Sequence, residues 1–515
     1  MDKALNSLQK PSVVHGLILA MVGLYWGLRV FAFSGLSADE AEQVLFAQSF
    51  QWGYDVANPP LYTWVLITLF ALLGKSAGLV LAFKLAIVAS IYAALYHCSR
   101  LVLANERRLD WALVGLSPVL FFFIGWHAIF NYSHSLLNAL FAVFSFMALI
   151  KVIDSGRWRW YLILGLVAGL GLLTKYAFAL FLIAALAAGL SLPQARQRLL
   201  SGRMLAALLV LGAVVAPHAA WLLNASDQVA HAVSYKLQTQ TDAAYLSGVG
   251  TGFWNLLRAA FAFLSPFWLI ALLVFPAAVK KATSTPDNQN IAGPLLGRTF
   301  IGFTLLLVGM VVIGGVSQFR PNYLFVLVLV PLWLFTRLST EAAAPGKRRK
   351  VYAALIGVAL VLSVGGLTGK ALSDPWRCKK CLFLTPYEDI AKALQERGFT
   401  AGSVFATWHP TPLPGNLALY LPDARIISHK FTALKPPPRL GADGQCMTVW
   451  VPASAGGMDT ENAIGSTNGA FGTPFPPDHP THSIEVPLYR ATDKTIRIDY
   501  LIATPTPGLD LADCR

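Results

Sequence analysis

Adjacent carboxylates beside a long apolar run call for a chemical reason, and Asp39-Glu40 stands directly after the first such run in this chain. Other polar residues interrupt apolar sequence further on: Asn58-Pro59-Pro60-Leu61-Tyr62, His127 with Asn131 and His134, Lys175-Tyr176, and Arg320-Pro321-Asn322-Tyr323. Ionisable groups at membrane depth are costly and usually face a cavity or a partner. One acid pair with several cations and amides on one side of a membrane suits a defined chemistry. A carboxylate acts as general base on an acceptor hydroxyl. Cations hold a phosphate leaving group and stabilise its developing charge. An apolar groove between helices takes a lipid tail.

Each residue also has a purely structural explanation. Ser37 and Asp39 are natural N-cap types and acids favour a helix's first turn, so Asp39-Glu40 also fits a helix cap. Pro59-Pro60 fits a rigid helix entry. Lys175 fits a side chain snorkelling to the interface. His127 and His134 lack an evident third metal ligand and read as packed polar residues, and His218 beside Pro217 as an interhelical hydrogen-bonding group. Arg320 departs from the charge bias described next, which favours a functional role.

The elements that must position these residues are helices in a bilayer. The 515 residues are 56% hydrophobic and only 13% charged, with mean hydropathy +0.57, against about 25% charged in a typical soluble domain. Apolar runs recur from residue 12 to 369, many near the roughly 20 residues that a spanning helix needs. The net charge of +14 comes largely from Lys and Arg in short loops, the cytoplasmic bias of membrane proteins. With no bare polybasic tail, it argues against a nucleic-acid partner. The first run, 13–33, is longer than a signal-peptide core and is followed by no small-residue cleavage site, so it reads as a retained anchor.

Placing the basic loops inside puts the N-terminus in the cytoplasm and predicts about eleven spans. These run over 12–34, 77–103, 111–130, 133–153, two within 160–190 broken at Lys175, 203–223, 253–279, 299–317, 323–337 and 351–369. Residues 38–51 and 60–73 read as two juxtamembrane helices within a first outer loop, 35–75, and 224–252 as a second outer loop. Residues 371–515 then form a C-terminal extracytoplasmic α/β domain. Helical segments are expected at 387–398 and 415–420, strands at 403–407, 424–428, 447–451 and 496–502, and a Gly/Thr/Ser/Pro-rich loop or lid at 453–482. Cys378, Cys381, Cys446 and Cys514 form an even set in an oxidising compartment, which favours disulfides. A zinc or redox reading of Cys378-Lys-Lys-Cys381 rests on a lone CxxC. Cys98 reads as core packing.

In order, these elements resemble the GT-C superfamily of membrane glycosyltransferases. The likeness is to a bacterial branch: the aminoarabinose transferases of lipid A, the galacturonosyltransferases of rhizobial lipopolysaccharide and the related protein O-mannosyltransferases. The residues that carry it are Ala38-Asp39-Glu40-Ala41, Pro59-Pro60-Leu61-Tyr62-Thr63-Trp64, Gly169-Leu170-Gly171-Leu172-Leu173-Thr174-Lys175-Tyr176 and Arg320-Pro321-Asn322-Tyr323. The likeness covers about 1–340 and fades in the tail. It implies a polyprenyl-phosphate sugar donor, a glycolipid or glycan acceptor of the lipid A or lipopolysaccharide type, and transfer with inversion on the periplasmic side of a bacterial inner membrane. Residues 1–370 would be the transmembrane GT-C domain and 371–515 a periplasmic domain. Asp39 and Glu40 would be the catalytic pair, Asp39 as base and Glu40 in support. Asn58, Tyr62, Asn131, His134, Lys175, Tyr176, Arg320 and Tyr323 would bind substrate, with Lys175 and Arg320 on the phosphate. Where such relatives often carry Lys before Pro-Pro, this chain has Asn58. Where many carry a "TPD" acid, it reads Tyr132-Ser133-His134-Ser135, so His134 would stand in for the acid. Both departures bear on the donor and on metal use. A divalent cation near Glu40 and a histidine is compatible with the residue types, but no spacing demands one.

Two other readings compete. A transporter or flippase of a lipid-linked sugar predicts internal symmetry and broken midplane helices, and the sequence shows no such symmetry. A structural or assembly subunit would leave the polar groups of the membrane loops unexplained.

Overall fold

A computed structural model describes residues 2–224, 245–280, 291–338, 346–378, 381–428, 430–431, 434–435, 444–471 and 480–503. The chain forms two compact units that interleave along the sequence. Met1–Leu24, Val56–Leu61 and Leu85–Gly365 make a helical unit; Tyr25–Asp55, Tyr62–Lys84 and Gly366–Arg515 make a mixed one. The sequence reading divides the chain near 370, whereas contacts group the acid-bearing stretch and the helix after it with the tail.

Among the described residues, six helices are long and apolar enough to cross a bilayer: Pro11–Ala32, Ala77–Val102, Ser133–Ser155, Arg203–Asn224, Ala292–Val312 and Lys347–Arg377. The pair Phe178–Leu190 and Pro193–Leu199, bent by 114°, adds a seventh if it is one span. Leu61–Leu73, Trp158–Leu172 and Phe325–Thr336 are shorter apolar helices. Arg203–Asn224 buries only Ala207 and His218 and leaves Leu205, Leu208, Leu209 and Leu223 exposed. Such a surface is stable in hydrocarbon, where a helix satisfies its own backbone groups. The chain is a polytopic helical membrane protein.

Several expected helices are broken, each at an identifiable residue. The run 111–130 is one α-helix, Arg108–Leu116, followed by short turns at Ser117–Leu120, Phe122–Gly125 and His127–Ile129, because Pro118 lacks the N–H that the helix needs. The run 253–279 begins earlier, at Tyr245, and breaks after Leu264 at Ser265-Pro266 and again at Pro276. The two breaks satisfy each other, since the Phe122 N–H donates to the Ser265 carbonyl at 2.9 Å. The run 323–337 starts as 3₁₀ turns before the α-helix Val330–Thr336. The break expected at Lys175 is present, between Trp158–Leu172 and Phe178–Leu190. Gly171 lies under the Phe178 ring, where a β-carbon would come within 2.3 Å, so the turn closes only on glycine. Residues 225–244 of the expected outer loop lie outside the described residues.

The mixed unit is built on a five-stranded sheet of order β2-β1-β3-β5-β4. Its strands are β1 Gly402–Ala406, β2 Ala424–Ile427, β3 Gln445–Trp450, β4 His482–Leu488 and β5 Ala491–Ala503. β1 pairs in parallel with β2 and β3, and β5 runs antiparallel to β3 and β4. β4 was not expected: it is an edge strand whose Pro487 sits at a register shift, the position where a sheet tolerates proline. Part of the expected loop 453–482 is instead the helix Thr460–Phe471. Its Thr and Gly content disfavours a helix locally, but packing overrides that preference: Ala463 is buried against Phe405, Trp450 and Leu501, and Thr448 donates to the buried Thr467 hydroxyl at 3.1 Å.

One hydrophobic core joins this sheet to the acid-bearing segment. Ala41, Val44, Leu45 and Phe46 of helix Ala38–Phe46, and Leu66 and Phe70 of helix Leu61–Leu73, pack in one cluster with Tyr387, Ile390, Leu413, Leu417, Val449 and Tyr500. Cys378 and Cys381 are joined by a disulfide, which replaces the zinc reading. Cys446 is disulfide-bonded as well, while Cys514 lies outside the described residues. Cys98 is a buried free thiol, as packing predicts.

Candidate functional site

Ser37 is the N-cap of helix Ala38–Phe46 and Glu40 occupies its third position, the capping-box arrangement. One Glu40 oxygen accepts the Ser37 N–H at 2.8 Å and Arg29 Nη2 at 3.1 Å, and the other takes the Lys84 ammonium. All three charged side chains are fully buried. Arg29 comes from Pro11–Ala32 and Lys84 from Ala77–Val102, and the Arg29 guanidinium also lies 4.9 Å from the Phe383 ring centre. Burial alone would raise the Glu40 carboxyl. The charges of Lys84 and Arg29, with the hydrogen bonds from Lys84 and Ser37, outweigh it and hold the group below the usual carboxylate range. Glu40 is thus an ionised carboxylate that anchors a helix start, with both oxygens engaged.

Asp39, one residue earlier, is half-buried on the same first turn. The helix is fixed from its far side as well: buried Thr63 donates to Gln43 Oε1 at 2.7 Å. The adjacent acids therefore differ in burial.

The helical unit holds a second constellation. Lys175, in the break between Trp158–Leu172 and Phe178–Leu190, donates to Ser135 Oγ at 2.7 Å and to the Asn322 carbonyl at 3.1 Å. Its ammonium lies 5.3 Å from the Tyr323 ring centre, within reach of a cation–π contact. Next to it, the Tyr176 hydroxyl meets His218 Nε2 at 3.1 Å, and the rings of Tyr176, His218 and Trp221 are stacked in series. Asn131 contacts His127 Nδ1 at 3.3 Å. Tyr132 adopts a left-handed conformation, φ 75°, as the N-cap of Ser133–Ser155, the helix that carries His134 and Ser135.

The structure therefore brings Lys175 together with Asn322 and Tyr323, residues far apart in sequence. Arg320 is exposed at the start of that turn, and Asn58 is half-buried. His134 is 8% exposed, and Tyr62 is fully buried with its ring 4.7 Å from Phe83, so its place is in the packing. Among the described residues no group of three or more His, Cys, Asp or Glu is assembled that could hold a metal ion. The Glu40 oxygens suggested for a cation are taken by Arg29, Lys84 and Ser37.

Sequence reasoning missed Arg29, Lys84 and Ser135. The first two carried a usable signal, since each is an ionisable residue inside an apolar run of spanning length. Ser135 had none, as serine is unremarkable in such helices.

Residues 57–221 match the family model described as dolichyl-phosphate-mannose-protein mannosyltransferase. The lipopolysaccharide core galacturonosyltransferase RgtB of Rhizobium johnstonii is 25% identical over 430 residues, 82% of this chain and 84% of that protein. RgtA of the same organism, also a lipopolysaccharide core galacturonosyltransferase, is 26% identical over 431 residues, 82% and 83% of the two chains. Among solved structures, ArnT from Cupriavidus metallidurans bound to undecaprenyl phosphate superposes with TM-score 0.61 at 12% identity, covering 96% of this chain and 98% of that one. The chain has the GT-C fold.

Proposed function

We propose that this chain, a membrane glycosyltransferase of the GT-C fold, transfers a sugar from a polyprenyl-phosphate donor to a glycolipid or glycan acceptor of the lipopolysaccharide type. The reaction takes place on the periplasmic side of a bacterial inner membrane, with inversion at the anomeric carbon. The N-terminus is cytoplasmic, the chain crosses the bilayer about eleven times, helices Ala38–Phe46 and Leu61–Leu73 lie at the interface, and residues 371–515 are periplasmic. The observation that carries the mechanism is the unequal burial of the acid pair. Glu40 is locked by two cations and a backbone N–H, while Asp39 on the same turn is half-buried.

Asp39 accepts the acceptor hydroxyl's proton as that oxygen attacks the anomeric carbon. The carbon–oxygen bond to the phosphate breaks, and the prenyl phosphate leaves with the electron pair. Lys175 and the exposed Arg320 bind that phosphate, whose charge grows as the bond breaks. Tyr176 and Tyr323 line the donor path, and Asn131 and His134 supply hydrogen bonds to the sugar. Asn58, before Pro59, and Tyr62 complete the proposed substrate-binding set. Both Rhizobium relatives are galacturonosyltransferases, so a prenyl-phosphate galacturonosyl donor is the first to try.

Native mass spectrometry of the detergent-purified protein tests the donor class, comparing wild type with Lys175→Ala and Arg320→Ala. A co-purified prenyl-phosphate sugar that is lost in both variants supports the reading. Wild-type protein that binds no member of a prenyl-phosphate sugar panel overturns it and returns attention to a transporter.

A further inference from the structure

Two residues ahead of helix Ala38–Phe46, the chain is gripped by a side chain nearly four hundred positions away. Leu36 N–H donates to Asn416 Oδ1 at 2.7 Å, and Asn416 Nδ2 donates to the Leu36 carbonyl at 3.3 Å. The side-chain amide thus reads both backbone groups of one residue, as a neighbouring strand would. Nδ2 also donates to the Pro412 carbonyl at 2.9 Å. With two carbonyls facing the nitrogen and one N–H facing the oxygen, only one amide orientation serves. Asn416 is 0% exposed, so water cannot replace any of these bonds.

The surroundings admit little play. Gly415 lies so close to the Ala41 backbone that a β-carbon there would come within 1.8 Å of its carbonyl oxygen. Gly35, at φ +75°, lies against the Tyr387 ring, where a β-carbon would come within 2.2 Å. Ser34 N–H donates to the Phe383 carbonyl at 2.7 Å and its hydroxyl to the Thr385 carbonyl at 2.9 Å. Residues 34–41 are therefore held at Ser34, Gly35, Leu36 and Ala41 by groups of the C-terminal segment, and Asp39 lies inside that stretch.

We infer that Asn416 is a positioning residue for Asp39: the C-terminal segment acts as a jig that sets the start of the acid-bearing helix. The inference rests on the proposed glycosyl transfer for its catalytic part and on geometry alone for its structural part. A general base works only within hydrogen-bond reach of the proton it takes, so a small shift of this helix start lowers turnover without weakening donor binding.

Asn416→Asp is the discriminating variant. It keeps the acceptor for Leu36 N–H and the side chain's shape, but turns an oxygen toward the Leu36 and Pro412 carbonyls. Thr467→Val is the control: it removes the hydrogen bond to Thr448 in the same unit without touching residues 34–41. The full-length protein is measured in detergent by hydrogen exchange, by undecaprenyl phosphate binding and by turnover. In Asn416→Asp the expected result is faster exchange confined to 34–46, unchanged undecaprenyl phosphate affinity, and kcat lower by about 10²-fold, the loss a misplacement of roughly 1 Å produces. Thr467→Val is expected to keep wild-type kcat.

Unchanged exchange over 34–46 overturns the inference, as does faster exchange with wild-type kcat. Equal loss of kcat in both variants, in step with lost stability, also overturns it, because the segment would then matter only for folding. If the wild type transfers no sugar from any donor, the functional reading falls on its own, and the exchange measurement still decides whether Asn416 holds the helix start.

Discussion

Glu40 and Asp110 are two buried carboxylates that each meet two cations, and they serve different ends. Asp110 is 2% exposed and takes a two-pronged bond from Arg349, at 2.6 Å and 3.0 Å, with Arg107 Nε at 2.7 Å. Arg107 also donates to the Phe335 carbonyl at 2.9 Å. Three distant segments of the helical unit are pinned at one point by rigid guanidinium forks. Glu40 instead meets one arginine, one lysine and a helix-start N–H, and the residue beside it is the half-buried Asp39. The same ion chemistry pins three segments in one place and fixes a helix start in the other. Burial of a charged pair does not by itself identify a functional centre.

The largest expected effect is on turnover. Asp39→Asn is expected to lower kcat by about 10²–10⁴-fold, the usual contribution of a general base, with the thermal midpoint in detergent unchanged. Full activity in that variant would remove the distinction between the two acids. Next come the buried partners. Glu40→Gln and Asp110→Asn each leave two buried cations without their acid, and each is expected to cost about 3–5 kcal/mol of stability, seen as a lower thermal midpoint. They are expected to differ in the folded fraction that survives. Asp110→Asn should keep wild-type kcat per folded molecule, while Glu40→Gln should lose it with the helix start. Equal kcat in the two variants would break the comparison.

The pH dependence of stability sharpens it further. The folded Glu40 carboxyl lies below its ordinary value through Lys84 and Arg29, against the opposing effect of burial. Its contribution is therefore fully present above the unfolded carboxylate value of about 4.3. It is lost as pH falls through the lowered folded value. The difference in thermal midpoint between wild type and Glu40→Gln should be constant from neutral pH down to about 5 and shrink only in stronger acid. A difference that vanishes near pH 6 would mean the carboxyl is not held down. The smallest effect belongs to Thr63→Val, which removes the 2.7 Å bond to Gln43. A loss of about 1 kcal/mol is expected, with kcat little changed, because that bond holds the side of the helix and not its start.

Much of the helical unit was legible because bilayer thickness imposes a run length that composition displays directly. Pro11–Ala32, Ala77–Val102 and Ser133–Ser155 start and stop within two residues of their expected ends, and the break at Lys175 followed from a run too long for one span. The breaks at Pro118 and Pro266 were written in the sequence too, but a single proline can kink a helix or end it, and the mutual bond between Phe122 and Ser265 decided the matter. In the tail, strands β1, β2, β3 and β5 carried apolar β-branched runs. β4 alternates and contains proline, and helix Thr460–Phe471 has a loop's composition, so both depend on the surfaces they pack against.

The sequence by itself determined the bilayer as solvent, the main apolar spans, the break at Lys175 and the choice of Asp39-Glu40 and Lys175 as the residues to watch. These follow from local composition and from the cost of charge in hydrocarbon, which one chain displays without knowing its contacts. Tertiary structure alone decided that Glu40 is spent on Arg29 and Lys84, that Lys175 meets Asn322 and Tyr323, and that Asn416 holds Leu36. Those pairs join residues from 11 to 380 positions apart. Their partnership is fixed by packing geometry, which leaves no periodic trace in a single sequence.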